Sequence, residues 1–137
     1  MLFDNKRWTM PQVPAIEETE WRAVLRKAAD AIKKRGWVQG SMELDGKMCV
    51  HGAMSEALFG CPHYMPWDAY PLKERERVAY GDATRKLYAV LCRKYSKQMT
   101  ELRAIGSIGA DDVTAWNDHP DTTKRMVLKT LREAANA

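Results

Sequence analysis

The sequence predicts an all-α protein, a single compact domain of about five helices, with a small hairpin allowed after the first. Three observations carry this. Apolar residues recur at spacings of three and four in several separate stretches, the period of a helix with one buried face. Glycine and proline cluster between those stretches. The chain has 137 residues, 45% hydrophobic and 29% charged, which suits one domain with one core.

Residues 1–16 contain Pro11 and Pro14 and no period, so they read as an extended arm with Phe3 and Trp8 as anchors. Residues 17–137 read as the helical domain. The first helix spans 17–35, with Trp21, Val24, Leu25, Ala28 and Ile32 on one stripe. Glutamates in its first turn and Lys33, Lys34 and Arg35 in its last suit the helix dipole, and Gly36 stops it.

Gly40 and Asp45-Gly46 are turn signals around a short segment, which is either a small hairpin or an ordered loop. A helical period returns from Met48 to Phe59 through Val50, Ala53, Met54, Ala57 and Leu58. Gly52 and Ala53 are small enough for a second helix to approach, and Gly60 and Pro62 end the element. "CPHYMPWDAYP", residues 61–71, is a loop anchored by Tyr64 and Trp67.

Residues 72–95 are helical again, with Ala79, Ala83, Leu87, Val90, Leu91 and Tyr95 on one side. Gly81-Asp82 is a candidate break, with Asp82 as the N-cap of the second piece. Residues 96–109 carry no clear signal, and Gly106 and Gly109 bracket a loop. Asp111 or Asp112 opens a short helix ending near Trp116. The last helix runs from about Thr123 to Ala135, with Val127, Leu128, Leu131, Ala134 and Ala135 inward.

No apolar run approaches the roughly 18 residues that span a bilayer, and the first residues lack an apolar signal-peptide core. Cys49, Cys61 and Cys92 are an odd number without repeated spacing, which suits reduced thiols. These features lead us to expect a cytoplasmic protein with no membrane association. The net charge of +4 is compatible with nucleic acid without requiring it. The charge is uneven. Residues 22–35 carry Arg22, Arg26, Lys27, Lys33, Lys34 and Arg35 against Asp30 alone. Residues 85–97 carry Arg85, Lys86, Arg93, Lys94 and Lys97 without an acid.

Four constellations are candidates for chemistry. In "AWNDHPDTTKR", residues 115–125, Trp116 suits the core, Asn117 and Asp118 suit local Asx turns, and Asp121, Thr122 or Thr123 caps the last helix. The alternative, Asp118 with His119 as an acid/base pair, lacks a second carboxylate or a nucleophile. Cys49-x-His51 and Cys61-x-His63 offer four soft ligands, but residues two apart on a helix point about 200° apart, which speaks against zinc. Cys49 then reads as a small buried hydrophobe. The positive residues of the first helix face away from its apolar stripe, as a solvated face does; Asp30 with Arg26 and Lys34 is the main exception to the lack of opposite-charge pairs four residues apart. Trp37 anchors the chain where it leaves the first helix; the alternative is a partner pocket in which Gln39 and Trp37 reach a ligand. No phosphate loop, dinucleotide fingerprint, nucleophile elbow or HExxH is visible, so no cofactor and no enzymatic activity are expected.

"LRKAADAIKKRGWVQG", "MCVHGAMSEAL" and "AWNDHPDTTKRMVLKTLREAA" together resemble small uncharacterised proteins of actinobacteria and their bacteriophages. That family shares a GW-x-QG turn, a cysteine before a Gly-Ala helix, and a WND loop before a C-terminal helix. The positions matching it are Gly36, Trp37, Gln39, Gly40, Cys49, Gly52, Ala53, Trp116, Asn117 and Asp118. The resemblance implies a compact helical domain and no assigned activity; it brings no catalytic residues. Met126 stands where an acid would complete a capping box with Thr123.

The expectation is therefore a non-enzymatic accessory protein, from a phage or an actinobacterium, that binds another macromolecule. A host or phage protein is the first choice of partner, and nucleic acid on the basic helix faces is the alternative. Eight methionines suit an adaptable contact surface. The candidate contacts are Arg22, Arg26, Lys33, Lys34, Arg85, Lys86, Tyr64 and Trp67. The oligomeric state stays open, a homodimer included.

Overall fold

The structure, a computed structural model, describes residues 20–63, 74–105 and 111–137. The expected arm at 1–16, the loop anchors Tyr64 and Trp67, and the Gly106–Gly109 loop lie outside the described residues. Among the described residues, six helices and one two-stranded hairpin make a single all-α domain around one core.

Helix α1, Glu20–Arg35, is the central element. It buries Trp21, Val24, Leu25, Ala28, Ala29 and Ile32 and packs chiefly on the last helix, α6 (Lys124–Ala135), and on α2 (Val50–Phe59). The guanidinium of Arg22 donates to the Ala135 carbonyl at 2.9 Å, so the start of α1 lies beside the end of α6. A cation at that carbonyl also complements the negative end of the α6 dipole.

The open choice between hairpin and loop resolves to a hairpin. Strand β1, Glu43–Leu44, pairs antiparallel with β2, Lys47–Met48, in the register Glu43 to Met48 and Leu44 to Lys47. Asp45 and Gly46 have φ of 53° and 87°, the double positive-φ turn whose twist matches paired strands. The Glu43 carboxylate accepts from Gly46 N at 2.7 Å and holds that turn. Met48 also bonds the segment leaving α1: Val38 N donates to the Met48 carbonyl at 3.2 Å, and Met48 N to the Gly36 carbonyl at 3.1 Å. Met48 is thus a strand residue, and α2 begins two positions later than the period suggests.

Helix α3, Glu74–Lys94, is continuous through Gly81-Asp82, where a break was expected. The apolar stripe continues on both sides of Gly81, from Ala79 and Tyr80 to Leu87, Val90 and Leu91. A mid-helix glycine costs only about 1 kcal/mol, less than that stripe gains by burial. Asp82 is not a cap; it forms an ion pair with Arg85 one turn on. Residues without a sequence signal form α4, Ser96–Ile105, which buries Met99. The short α5, Asp112–Asn117, carries the fully buried Trp116. Thr123 caps α6, its hydroxyl accepting from Met126 N at 3.2 Å. No helix among the described residues is long and apolar enough to cross a membrane.

Candidate functional site

Two of the segments singled out in the sequence meet. Trp37 Nε1 donates to Asn117 Oδ1 at 2.8 Å, and the Gln39 amide donates to the carbonyls of Asn117 and His119 at 3.0 and 2.8 Å. Gly40 N donates to Asp118 Oδ1 at 2.9 Å. Asn117, 1% exposed, also accepts from Val50 N at 3.1 Å and donates to the Val38 carbonyl at 3.2 Å. Its amide therefore ties together the exit of α1, the start of α2 and the end of α5. The local Asx turn expected for Asn117 gives way to long-range bonds. Burial decides this, because an amide away from water takes whatever partners the packing brings to it.

Asp118 and His119 do not form an acid/base pair. Asp118 turns to Gly40 and to the Asn117 amide, while His119 Nδ1 accepts from Asp121 N at 3.0 Å.

The start of α2 carries the second cluster. Cys49 is the N-cap, with extended backbone, and its sulfur accepts from Gly52 N at 3.3 Å. It is buried, as expected, but it acts as a cap and not only as a small hydrophobe. Burial pushes its thiol above the ordinary value, against the lowering effect of the Gly52 and His51 amides. His51, 6% exposed, lies between Tyr80 on α3 and Asp111 ahead of α5. Nδ1 is 2.5 Å from the Tyr80 hydroxyl and Nε2 is 3.0 Å from Asp111 Oδ1. Burial alone would raise the Asp111 carboxyl; hydrogen bonds and charge from His51, with two bonds from Thr114, outweigh it and bring the pKa to about 2. An ionised Asp111 only accepts, so Nε2 carries the proton shared with it, and Nδ1 faces the Tyr80 hydroxyl.

A cleft of about 220 Å³ opens beside this cluster, lined by Gly40, Ser41, Met42, Cys49, His51, Thr114, Asn117 and Asp118. Its composition invites a cysteine nucleophile with a histidine base. The geometry opposes that reading. Both His51 nitrogens are engaged with Tyr80 and Asp111, and the Cys49 thiol is raised, whereas an activated nucleophile needs a free base within reach or a depressed thiol. The Asp111–His51–Tyr80 chain has the order of a proton relay, but it ends on a phenol that is 3% exposed and that burial pushes up. It is a strut joining α2, α3 and the cap of α5.

Zinc fares no better. His63 Nε2 sits 3.3 Å from Glu43, and the Cys61 carbonyl accepts from the Ser55 hydroxyl. The two Cys-x-His pairs do not converge, and no group of three or more metal-ligating side chains occurs among the described residues. The expected divergence of Cys49 and His51 on one helix does not hold: Cys49 precedes the helix, both line one cleft, and the His51 nitrogens face Tyr80 and Asp111.

The predicted contact residues take different places. Arg26, Lys33 and Lys34 are exposed on α1, and Asp30 forms no ion pair with Arg26 or Lys34. Arg22 is held at Ala135 and over the Trp21 ring, 4.4 Å from its centroid. Lys86 lies over the same ring at 5.0 Å, and Arg85 pairs with Asp82. Tyr64 and Trp67 lie outside the described residues.

One group of cations was not singled out from the sequence. Lys124, Arg125, Lys129 and Arg132 line a groove of about 540 Å³ along α6, with half-buried Leu128 among them. Among the described residues none of these four forms an ion pair, whereas Glu133 on the same helix is taken by Arg93 and Lys94.

The model of one family, described as a family of unknown function (DUF6197), matches residues 17–137. The chain belongs to DUF6197. No curated protein and no solved structure matches it. In this DUF6197 chain the matched span contains every residue of the joint, the strut and the α6 groove, and leaves out only residues 1–16. A signal for the groove was present in "KRMVLKTLREAA", where positive residues recur at helical spacing beside Leu128. The strut had no such signal, since His51, Tyr80 and Asp111 are far apart in the chain.

Proposed function

We propose that this DUF6197 protein is a non-enzymatic accessory protein, encoded by an actinobacterium or one of its phages, that works by binding an acidic partner protein. The observation that carries the reading is the α6 flank. Four exposed or rim cations stand on one rigid helix with no acid paired to them among the described residues. Like charges placed one turn apart repel by a few tenths of a kcal/mol, so a fold gains nothing from that arrangement by itself. An acidic surface turns the repulsion into attraction. Arg26, Lys33 and Lys34 on α1, the helix that packs against α6, are exposed as well.

The non-enzymatic half of the reading rests on the cleft. Its histidine is fully engaged and its thiol is raised, so the most reactive residue types are held in structural roles.

Nucleic acid is the second reading, favoured by the same unpaired cations, since phosphates need only positive charge. Titrations against polyglutamate, duplex DNA and single strands, at low and physiological salt, test both. The expected result is salt-sensitive binding that weakens with Lys129→Glu/Arg132→Glu and, less strongly, with Arg26→Glu/Lys33→Glu. No binding to any polyanion at low salt would overturn the reading.

A further inference from the structure

The groove on α6 is not uniformly charged, and its apolar part says more about the occupant. Leu128 is half-buried; it packs on the core at one edge and lines the groove at the other. Lys124 and Arg125 stand four and three positions before it, and Arg132 four positions after, so all three share its face of the helix. Lys129 follows it directly. The aliphatic stems of these side chains continue the apolar floor, with the charged groups at the rim. The shallow groove thus has an apolar centre at Leu128 bordered by cations, about 12 Å long from Lys124 to Arg132.

Resting on the proposal that α6 binds an acidic macromolecule, we propose that its occupant is an acidic amphipathic helix of a partner protein, with an apolar side chain set against Leu128 and carboxylates one turn to either side against Arg125 and Arg132. The charge pattern selects the acids, and helical spacing matches it, because carboxylates at i−4, i−3 and i+4 around a central leucine mirror Lys124, Arg125 and Arg132 around Leu128. A phosphate backbone would satisfy the rim cations but gain nothing from Leu128. An apolar helix without acids would leave the cations partly desolvated and unpaired.

The test uses the full chain and two labelled helical peptides of equal charge, one with leucine at the centre of its acidic face and one with serine there. Polyglutamate and a short duplex serve as further arms. The leucine peptide should bind about tenfold more tightly than the serine peptide, the effect of burying part of one leucine. Leu128→Ala should reduce that preference severalfold while leaving polyglutamate binding unchanged, and Leu128→Met, which keeps the apolar surface, should preserve it. Thermal melts check that both variants are folded. Arg125→Glu/Lys129→Glu should weaken both peptides alike. Equal binding of the two peptides would overturn the amphipathic occupant and leave the acidic-partner reading standing, whereas tighter binding of duplex than of either peptide would overturn both in favour of nucleic acid. No binding in any arm at low salt would remove both.

Discussion

Trp37 Nε1 donates to Asn117 Oδ1 at 2.8 Å, although the two residues are 80 positions apart. The same oxygen accepts from Val50 N, and the Asn117 amide nitrogen donates to Val38 and Asp118. One side chain therefore serves the exits of α1 and α5 and the start of α2.

That sharing sets the first prediction. Asn117→Ala should destabilise the protein by about 2–4 kcal/mol, because it strands several buried polar groups at once, not the single local turn that would cost about 1 kcal/mol. Trp37→Phe should cost less, about 1 kcal/mol, since Asn117 keeps its bond to Val50. Denaturant midpoints with unchanged slopes would measure both. An Asn117→Ala protein as stable as wild type would show that the joint is not held by this amide.

Gly52 is set against a backbone oxygen. A Cβ there would lie 2.0 Å from the Met42 carbonyl oxygen, which itself accepts from Cys49 N at 3.1 Å. The sequence suggested that Gly52 admits a neighbouring helix; the neighbour is the chain entering the hairpin. Gly52→Ala should therefore cost about 3 kcal/mol or more despite alanine's better helix propensity, because a carbonyl in a bonded loop cannot step aside. A melt unchanged from wild type would contradict the packing.

Cys49 supplies the cap of α2. Cys49→Ser should be close to neutral, since a serine hydroxyl accepts from the same amide, and Cys49→Ala should cost about 1 kcal/mol. With its thiol buried and raised, Cys49 should alkylate far more slowly than half-exposed Cys61 at neutral pH. Mass spectrometry of the folded protein after brief iodoacetamide treatment would read this, and rapid labelling of Cys49 would contradict the assigned burial.

Asp111 gives the stability an acid limb. Its carboxyl falls from 3.8 to about 2 on folding, so the folded state favours the ionised form. A depressed carboxyl contributes stability that is fully present above its unfolded value and is lost as pH falls through its folded one. The loss should fall between about pH 4 and about pH 2. Half of the side chain is exposed, so solvent screens the interaction and the slope is modest. Asp111→Asn should be less stable at neutral pH and should lack that part of the slope. Melts of both proteins across this range would decide, and parallel curves would exclude Asp111 as the source.

The sequence by itself determined the all-α class, the α1 and α6 stripes and the stops of α1 at Gly36 and of α2 at Gly60. These depend on the order of residues within one or two turns, where a period of 3.6 and a glycine or proline act locally. It also marked Trp37, Gln39, Cys49, Asn117 and Asp118. What each of them touches was decided by the tertiary structure. Asn117 has the same short amide whether it makes a local turn or bridges three segments, and only packing brings Trp37 and Val50 to it. Helix α4 escaped notice because its short span buries mainly Met99, and α3 runs unbroken because the core holds both sides of Gly81. The Asp111–His51–Tyr80 strut was illegible for the same reason as the joint. Its members come from three elements, and a hydrogen bond between distant residues leaves no mark in the order of the chain.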